Sequence, residues 1–212
     1  MSAPQTNCPG CGAPVQFRWS GAVQTVCPFC HSILVRTDVT IENVGKVGDL
    51  PPDPSPIQLM TSGTYNNKHF DVIGRLIYEY ESGGWNEWHI VFSDGQSAWL
   101  SDAQLQYAVS WLIPNVPLPA ETQVTRGSQF TFVNIPFEVS TLTIATYKGM
   151  EGELPFPFYG KKNMLFADLR TRSNDFATLD YSDQSAPLLF VGKTVPYEQL
   201  QLKNVRQFEG WA

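Results

Sequence analysis

All four cysteines of the chain fall in two short motifs, Cys8-Pro9-Gly10-Cys11 and Cys27-Pro28-Phe29-Cys30. The spacing C-x2-C-x15-C-x2-C is that of a zinc ribbon. Two residues between paired cysteines let one tight turn offer both thiolates to one ion. Pro9 and Pro28 stiffen the approach, Gly12 supplies the dihedrals that the turn demands, and turn amides can donate to the sulfurs. Between the motifs Val15, Phe17 and Trp19 alternate, Gly21 turns the chain, and Val23 and Val26 return, a hairpin that brings the second pair to the first. Cys8, Cys11, Cys27 and Cys30 are thus read as ligands of one structural Zn2+. Four thiolates close the coordination sphere and leave no position for substrate. Metal binding contributes on the order of 10 kcal/mol to folding a segment too short for its own core. Disulfides or a redox pair fit this double spacing poorly, and iron is the main competing metal. His31 follows Cys30 directly and reads as a surface histidine, since four sulfurs suffice.

Elsewhere the groups able to move protons are few. His69 and His89 are the remaining histidines, and no nucleophile elbow, phosphate loop, dinucleotide fingerprint or H-E-x-x-H motif occurs. Glu87 and His89 share one face of an expected strand in Trp85-Asn86-Glu87-Trp88-His89, with Glu79 and Glu81 on the neighbouring strand. Such a cluster could act as acid and base or hold a weak metal. A solvated hairpin face with cross-strand charge pairs looks the same, and the sequence favours that reading. Asp168 and Asp180 read as ordinary strand carboxylates. Trp85, Trp88, Trp99 and Trp111 are close in sequence and read mostly as barrel core. Trp85 is out of phase with Tyr78, Tyr80, Trp88, Ile90 and Trp99, at the tip of a glycine-flanked hairpin, where a large apolar side chain points to a protein contact. Trp85, Glu87 and His89 are therefore the candidate interface or ligand residues. No catalytic residue is assigned.

The elements that must hold these residues are strands. The chain has 212 residues, with sixteen glycines, sixteen prolines and many β-branched and aromatic residues. Residues 1–42 form the ribbon, 43–56 a Pro/Gly linker expected to let ribbon and body fold independently, and 57–212 a β-rich body with a candidate division near 114–120. Leu76, Tyr78 and Tyr80, then Trp88, Ile90 and Phe92, alternate as a half-buried hairpin; one-sided burial requires an odd loop, read as Ser82-Gly83-Gly84. Asp94-Gly95 marks a second turn into Ala98-Trp99-Leu100, and Leu105 to Ile113 alternate as another strand, with a short helix over 103–112 as the alternative. Later strands are expected over 130–133, 137–146, 165–169, 177–181 and 188–191. No internal repeat is evident. The fold class is mostly β, a zinc ribbon followed by a β-barrel-like body of one or two small subdomains.

A net charge of −6 disfavours nucleic acid as a partner, and only Arg18 and Arg36 are basic among the first forty residues. No apolar run approaches the ~20 residues that span a bilayer, and the N-terminus lacks the features of a secretory signal, so a cytoplasmic setting with reduced thiols is expected.

Residues 69–80 (HFDVIGRLIYEY) and 83–104 (GGWNEWHIVFSDGQSAWLSDAQ), then GELPF and FADLRTRSNDFATLDY, resemble a bacterial family, domain of unknown function 4178, over roughly residues 56–203. Leu105 departs from the glycine that members often carry there. The resemblance implies an N-terminal zinc ribbon, a bacterial accessory role linked to polyamine or stress-response systems, and no established enzymatic activity. The expected function is a non-enzymatic zinc-containing binding or adaptor protein in a bacterial cytoplasmic complex with an unidentified protein partner, without membrane insertion but compatible with a membrane-protein partner. The alternative is an enzyme or small-ligand binder using the Glu87/His89 cluster.

Overall fold

A computed structural model describes residues 5–37, 40–48, 50, 54–158 and 163–208. The described residues are mostly β, with two short 3-10 segments as their helical elements. The first strands are β1 (Gln5–Asn7), β2 (Pro14–Gln16), β3 (Gln24–Val26), β4 (Ser32–Arg36) and β5 (Ile41–Lys46). A second group follows: β6 (Ser62–Tyr65), β7 (Lys68–Tyr80), β8 (Gly83–Phe92), β9 (Ser97–Ala103) and β10 (Gln106–Leu112). The third is β11 (Gln129–Phe132), β12 (Ile135–Leu154), β13 (Met164–Arg170), β14 (Asp175–Asp180) and β15 (Leu188–Val195). Strand β5 takes in the first residues of the expected linker; residues 49 and 51–53 of that linker, and Val39 before it, lie outside the described residues.

Thirteen strands share one sheet, and eight of them close on themselves. Pairing runs β7-β8-β9-β10-β15-β14-β13-β12, and β12 returns to pair with β7. Every step is antiparallel. The ring is made of two units with the same plan, β6–β10 and β11–β15. Each opens with a hairpin whose two turn residues have left-handed φ, Asn66 and Asn67 in one, Val133 and Asn134 in the other. At the same distance after each turn comes a buried valine, Val72 or Val139, and then one extra residue in the ladder. Following the ladders makes His89 the counterpart of Asp168, Trp99 of Thr178, and Ser110 of Phe190. Both seams keep the relation. Glu79 pairs with Thr146, each being the other's counterpart, and Ser110–Gly192 and Leu112–Phe190 are one pair read from two sides.

The extra residue, Ile73 or Ser140, is a β-bulge, and it switches which face the following side chains occupy. Phe70 and Val72 therefore join Trp88, Ile90, Leu100 and Val109 in one outer core, closed by Ile57 and Leu200. Phe137 and Val139 join Leu169, Leu179 and Leu189 in the equivalent core of the other unit, closed by Val124 and Phe132. Beyond the bulge, Leu76 and Tyr78 turn to the opposite face, where they meet Trp99, Met150, Phe158 and Phe166. The ring sheet is thus apolar on both faces. This corrects the expected hairpin. Tyr80 pairs with Gly83, so Glu81 and Ser82 form a two-residue turn, and Tyr78 faces Trp85 rather than Trp88.

The β9–β10 turn is strained. Gln104 and Leu105 have φ of 51° and 66°, and Leu105 is 78% exposed. A side chain in this region costs about 1–2 kcal/mol, and here no burial offsets it. Leu105→Gly is expected to raise stability by about 1 kcal/mol in urea melts, because glycine adopts the turn without penalty.

Candidate functional site

The cysteine turns have matching geometry. Cys8 N donates to Ala13 O, and Gly12 N donates to Cys8 O; Cys27 N donates to Ser32 O, and His31 N to Cys27 O. The fourth residue after the first cysteine is left-handed in both, Gly12 at φ 76° and His31 at φ 60°. His31 is thus the turn residue of the second motif, exposed and outside the sulfur cluster. The four sulfurs lie within 4.8 Å of one another, with Cys8–Cys30 at 3.6 Å and Cys11–Cys27 at 3.8 Å. A tetrahedron with metal–sulfur bonds of about 2.3 Å has edges of about 3.8 Å, so this cluster can hold one metal ion. Gly10 N approaches Cys8 Sγ at 3.3 Å, and the Ser32 hydroxyl beside Cys30 brings that thiol down to about 6.

The second site is a cavity of about 430 Å³ to which all eight ring strands contribute, largely in steps of two along each strand. Its walls include Tyr78, Trp85, Trp99, Phe156, Phe158 and Phe166. Glu87, Asp168 and Asp180 also face it. Glu87 accepts from Trp85 Nε1 at 3.0 Å and from Ser101 Oγ at 2.7 Å. Burial pushes its carboxyl up to about 8, and the nearby charges of Asp168 and Asp180 add to the effect against those two hydrogen bonds. Asp168 accepts from Thr178 Oγ1 at 2.9 Å and is likewise raised by burial. Asp180 accepts from Ser182 N at 2.7 Å. Tyr78 stacks on Trp85 with centroids 4.9 Å apart, and burial raises its phenol well above the usual range.

The three candidate residues of the hairpin separate here. Trp85 does not stand out from a tip: it is half-buried, packs on Tyr78, Tyr80 and Phe166, and lines the cavity with Glu87. The expected phase mismatch had a different cause, burial of both strand faces. His89 is fully buried and does not line the cavity. Its Nδ1 donates to Glu153 O at 2.8 Å, and its Nε2 accepts from Ser97 Oγ at 2.8 Å, which sets the tautomer. Burial brings it down to about 4, so it is neutral. The solvated hairpin face expected for Glu87 and His89 is absent, because the ring encloses one and the ribbon covers the other with Trp19, 5.2 Å away between ring centroids. Sequence reasoning missed Tyr78, Asp168 and Asp180 as site residues. The signal for the two aspartates was the step-of-two placement of polar groups in Phe166-Ala167-Asp168 and Thr178-Leu179-Asp180, and Tyr78 carried none beyond its alternation with Leu76 and Tyr80.

The ribbon is joined to the body. Strand β3 pairs with β12, Glu153 accepts from the amides of Arg18 and Trp19 at 2.7 and 3.1 Å, and Trp19 Nε1 donates to Gly95 O at 3.2 Å. Among the described residues no helix is long and apolar enough to cross a membrane.

Fold and site together define a mostly-β protein with a four-cysteine cluster and a ring-closed sheet around an acidic, aromatic cavity. Residues 58–197, which contain the whole ring, match the model of DUF4178, a domain of unknown function, and the chain belongs to that family. No curated protein and no solved structure matches.

Glu87 and His89 have opposite effects on stability. Between about 4.5 and 8 folded Glu87 keeps a proton that the unfolded chain releases, so this contribution is lost as pH rises through that window. Between about 6.5 and 4 the unfolded chain takes up a proton that folded His89 refuses, so stability falls as pH drops. In urea melts from pH 5 to 9, Glu87→Gln should remove up to about 1.4 kcal/mol per pH unit of the loss toward alkaline pH and leave the acid-side loss in place.

Proposed function

We propose that this protein is a non-enzymatic small-ligand-binding protein of the bacterial cytoplasm, a zinc ribbon fused to an eight-stranded β-barrel whose interior takes one small organic ligand. One observation carries the reading: eight strands converge their side chains on a single cavity of about 430 Å³, a size in the range of small-molecule sites. Closed barrels of eight strands have interiors either just filled by side chains or wide enough for one small ligand. Here the difference comes from Ala108 and Ser110 on β10, which stand where the other unit has Leu188 and Phe190. Binding rather than catalysis follows from the polar groups. His89 is neutral and absent from the cavity lining, and Glu87 is held by two hydrogen bonds. The adaptor reading draws on another place, Phe29, 65% exposed on the second cysteine turn, and is compatible with an occupied cavity.

Titration with 2-phenylethanol, followed by tryptophan fluorescence, tests the cavity. Binding is expected in the wild type and lost in Ser110→Phe, which puts into the first unit the side chain the second carries at 190, while the melt stays cooperative. Undiminished binding in that variant would remove the barrel interior as the site.

Elemental analysis tests the metal. One zinc per chain is expected in the four-thiolate form. Cobalt substitution should give strong charge-transfer absorption that disappears in Cys11→Ser. A reduced preparation free of metal yet with an unchanged melt would sink the zinc assignment.

A further inference from the structure

The ligand's chemical class follows from the cavity walls, and this step rests on the ligand-binding reading above. We propose that the cavity is built for an organic ammonium ion, held by Asp168, Glu87 and the Tyr78 hydroxyl against the aromatic walls.

Charge supports the assignment first. Glu87, Asp168, Asp180 and Asp183 line the cavity, and among the described residues Arg170 is the one cationic side chain that does. The Arg170 guanidinium lies over the Phe176 ring, 4.4 Å from its centroid. The hydrogen-bond donors to Glu87 and Asp168 are an indole, a serine and a threonine, all neutral. Arg170 partly offsets the charge of Asp168, burial still raises both carboxyls, and a bound cation offsets the cost that remains.

Tyr78 is an independent observation. It is 3% exposed, it lines the cavity, and its hydroxyl has no hydrogen-bond partner among the described residues. An ammonium group carries donors and no acceptor, which complements a set of carboxylate and phenol oxygens. The aromatic lining supplies the rest, since indole and phenol faces attract cations, more strongly when water is excluded. A neutral ligand would leave the remaining burial cost of Glu87 and Asp168 in place, and an anion would add to the repulsion.

Cation binding favours ionised Glu87, so it should expel the proton that this group holds near neutral pH. The titratable and charged groups sharing the cavity with it are Tyr78 and Tyr80 on β7, Tyr107 on β10, Asp168 and Arg170 on β13, and Asp180 on β14 with Asp183 after it.

Calorimetric titration of the full-length protein at pH 7 with 2-phenylethylammonium and with 2-phenylethanol, of the same shape without charge, tests the claim without any mutation. The ammonium ion is expected to bind at least about tenfold more tightly, with a heat that varies with the buffer because a proton is released. In Asp168→Asn the two affinities should come within about threefold of each other while that of the alcohol is unchanged. Equal affinities in the wild type would overturn the ammonium assignment and leave the cavity reading standing. Binding of neither compound would overturn both.

Discussion

The pairing of β7 with β12 is the constraint on which the body depends, because it turns a long meandering sheet into a ring. At this seam Gly74 sits opposite Gly152. A Cβ at Gly74 would lie 1.9 Å from Glu153 O, and one at Gly152 would lie 2.1 Å from Ile73 O. Only two glycines let the backbones approach so closely, and Gly152 also has a left-handed φ of 65°. The close approach places Glu153 O against His89 Nδ1, and the Glu153 carboxylate is then turned to the amides of Arg18 and Trp19. One crossing therefore fixes ring closure, the tautomer of a buried histidine and the seat of the ribbon.

The two units share a plan but divide the interior unequally. Tyr78 stands opposite β12 near its counterpart Ala145, Trp99 is the counterpart of Thr178, and Ser110 that of Phe190. Large residues in one unit thus correspond to small ones in the other, and two identical units would either collide or leave a larger void. The acids follow the same logic. Asp168 occupies the position that His89 has in the first unit, yet His89 is covered by the ribbon while Asp168 opens on the cavity. A shared backbone with exchanged side chains yields an asymmetric pocket from a symmetric frame.

How much of this was legible depended on whether the signal was local. The cysteine spacing is local, and so are the Asp94-Gly95 turn and the strand signals of β10 and β13; each appears in the structure close to where the sequence put it, with Leu105, expected in the strand, lying in the turn before it. The phase of Trp85 was misread because alternation tells inside from outside only when one face meets water. Here Trp88 and Ile90 are buried under residues such as Ile57 and Leu200, far away in sequence, while Trp85 and Glu87 are enclosed by strands up to Phe190. The bulges at Ile73 and Ser140 switch faces without any residue that announces them. The repeat was invisible for a similar reason. It survives in turn dihedrals and ladder register, with Phe70 and Phe137, and Val72 and Val139, among the few matching identities. Sequence comparison by residue type does not detect that kind of symmetry.

The place of the cysteine segment in the fold gives its sulfur cluster a consequence beyond that segment. Gln24, fully buried on β3, accepts from Phe158 N and donates to Phe158 O, both at 2.8 Å. Phe156 and Phe158 are walls of the cavity, and Ile33 and Val26 pack into the same cluster. Strands β3 and β4 are short, and their own core is little more than Val15, Leu34 and the cysteines. Such a segment has too little apolar area to hold its shape alone, so Gln24 is placed jointly by the sulfur cluster and by the pairing of β3 with β12. Phe158 lies beyond the end of β12. The sulfur cluster and the cavity are therefore connected by a path that includes one glutamine amide and one backbone peptide, far shorter than their separation in sequence suggests.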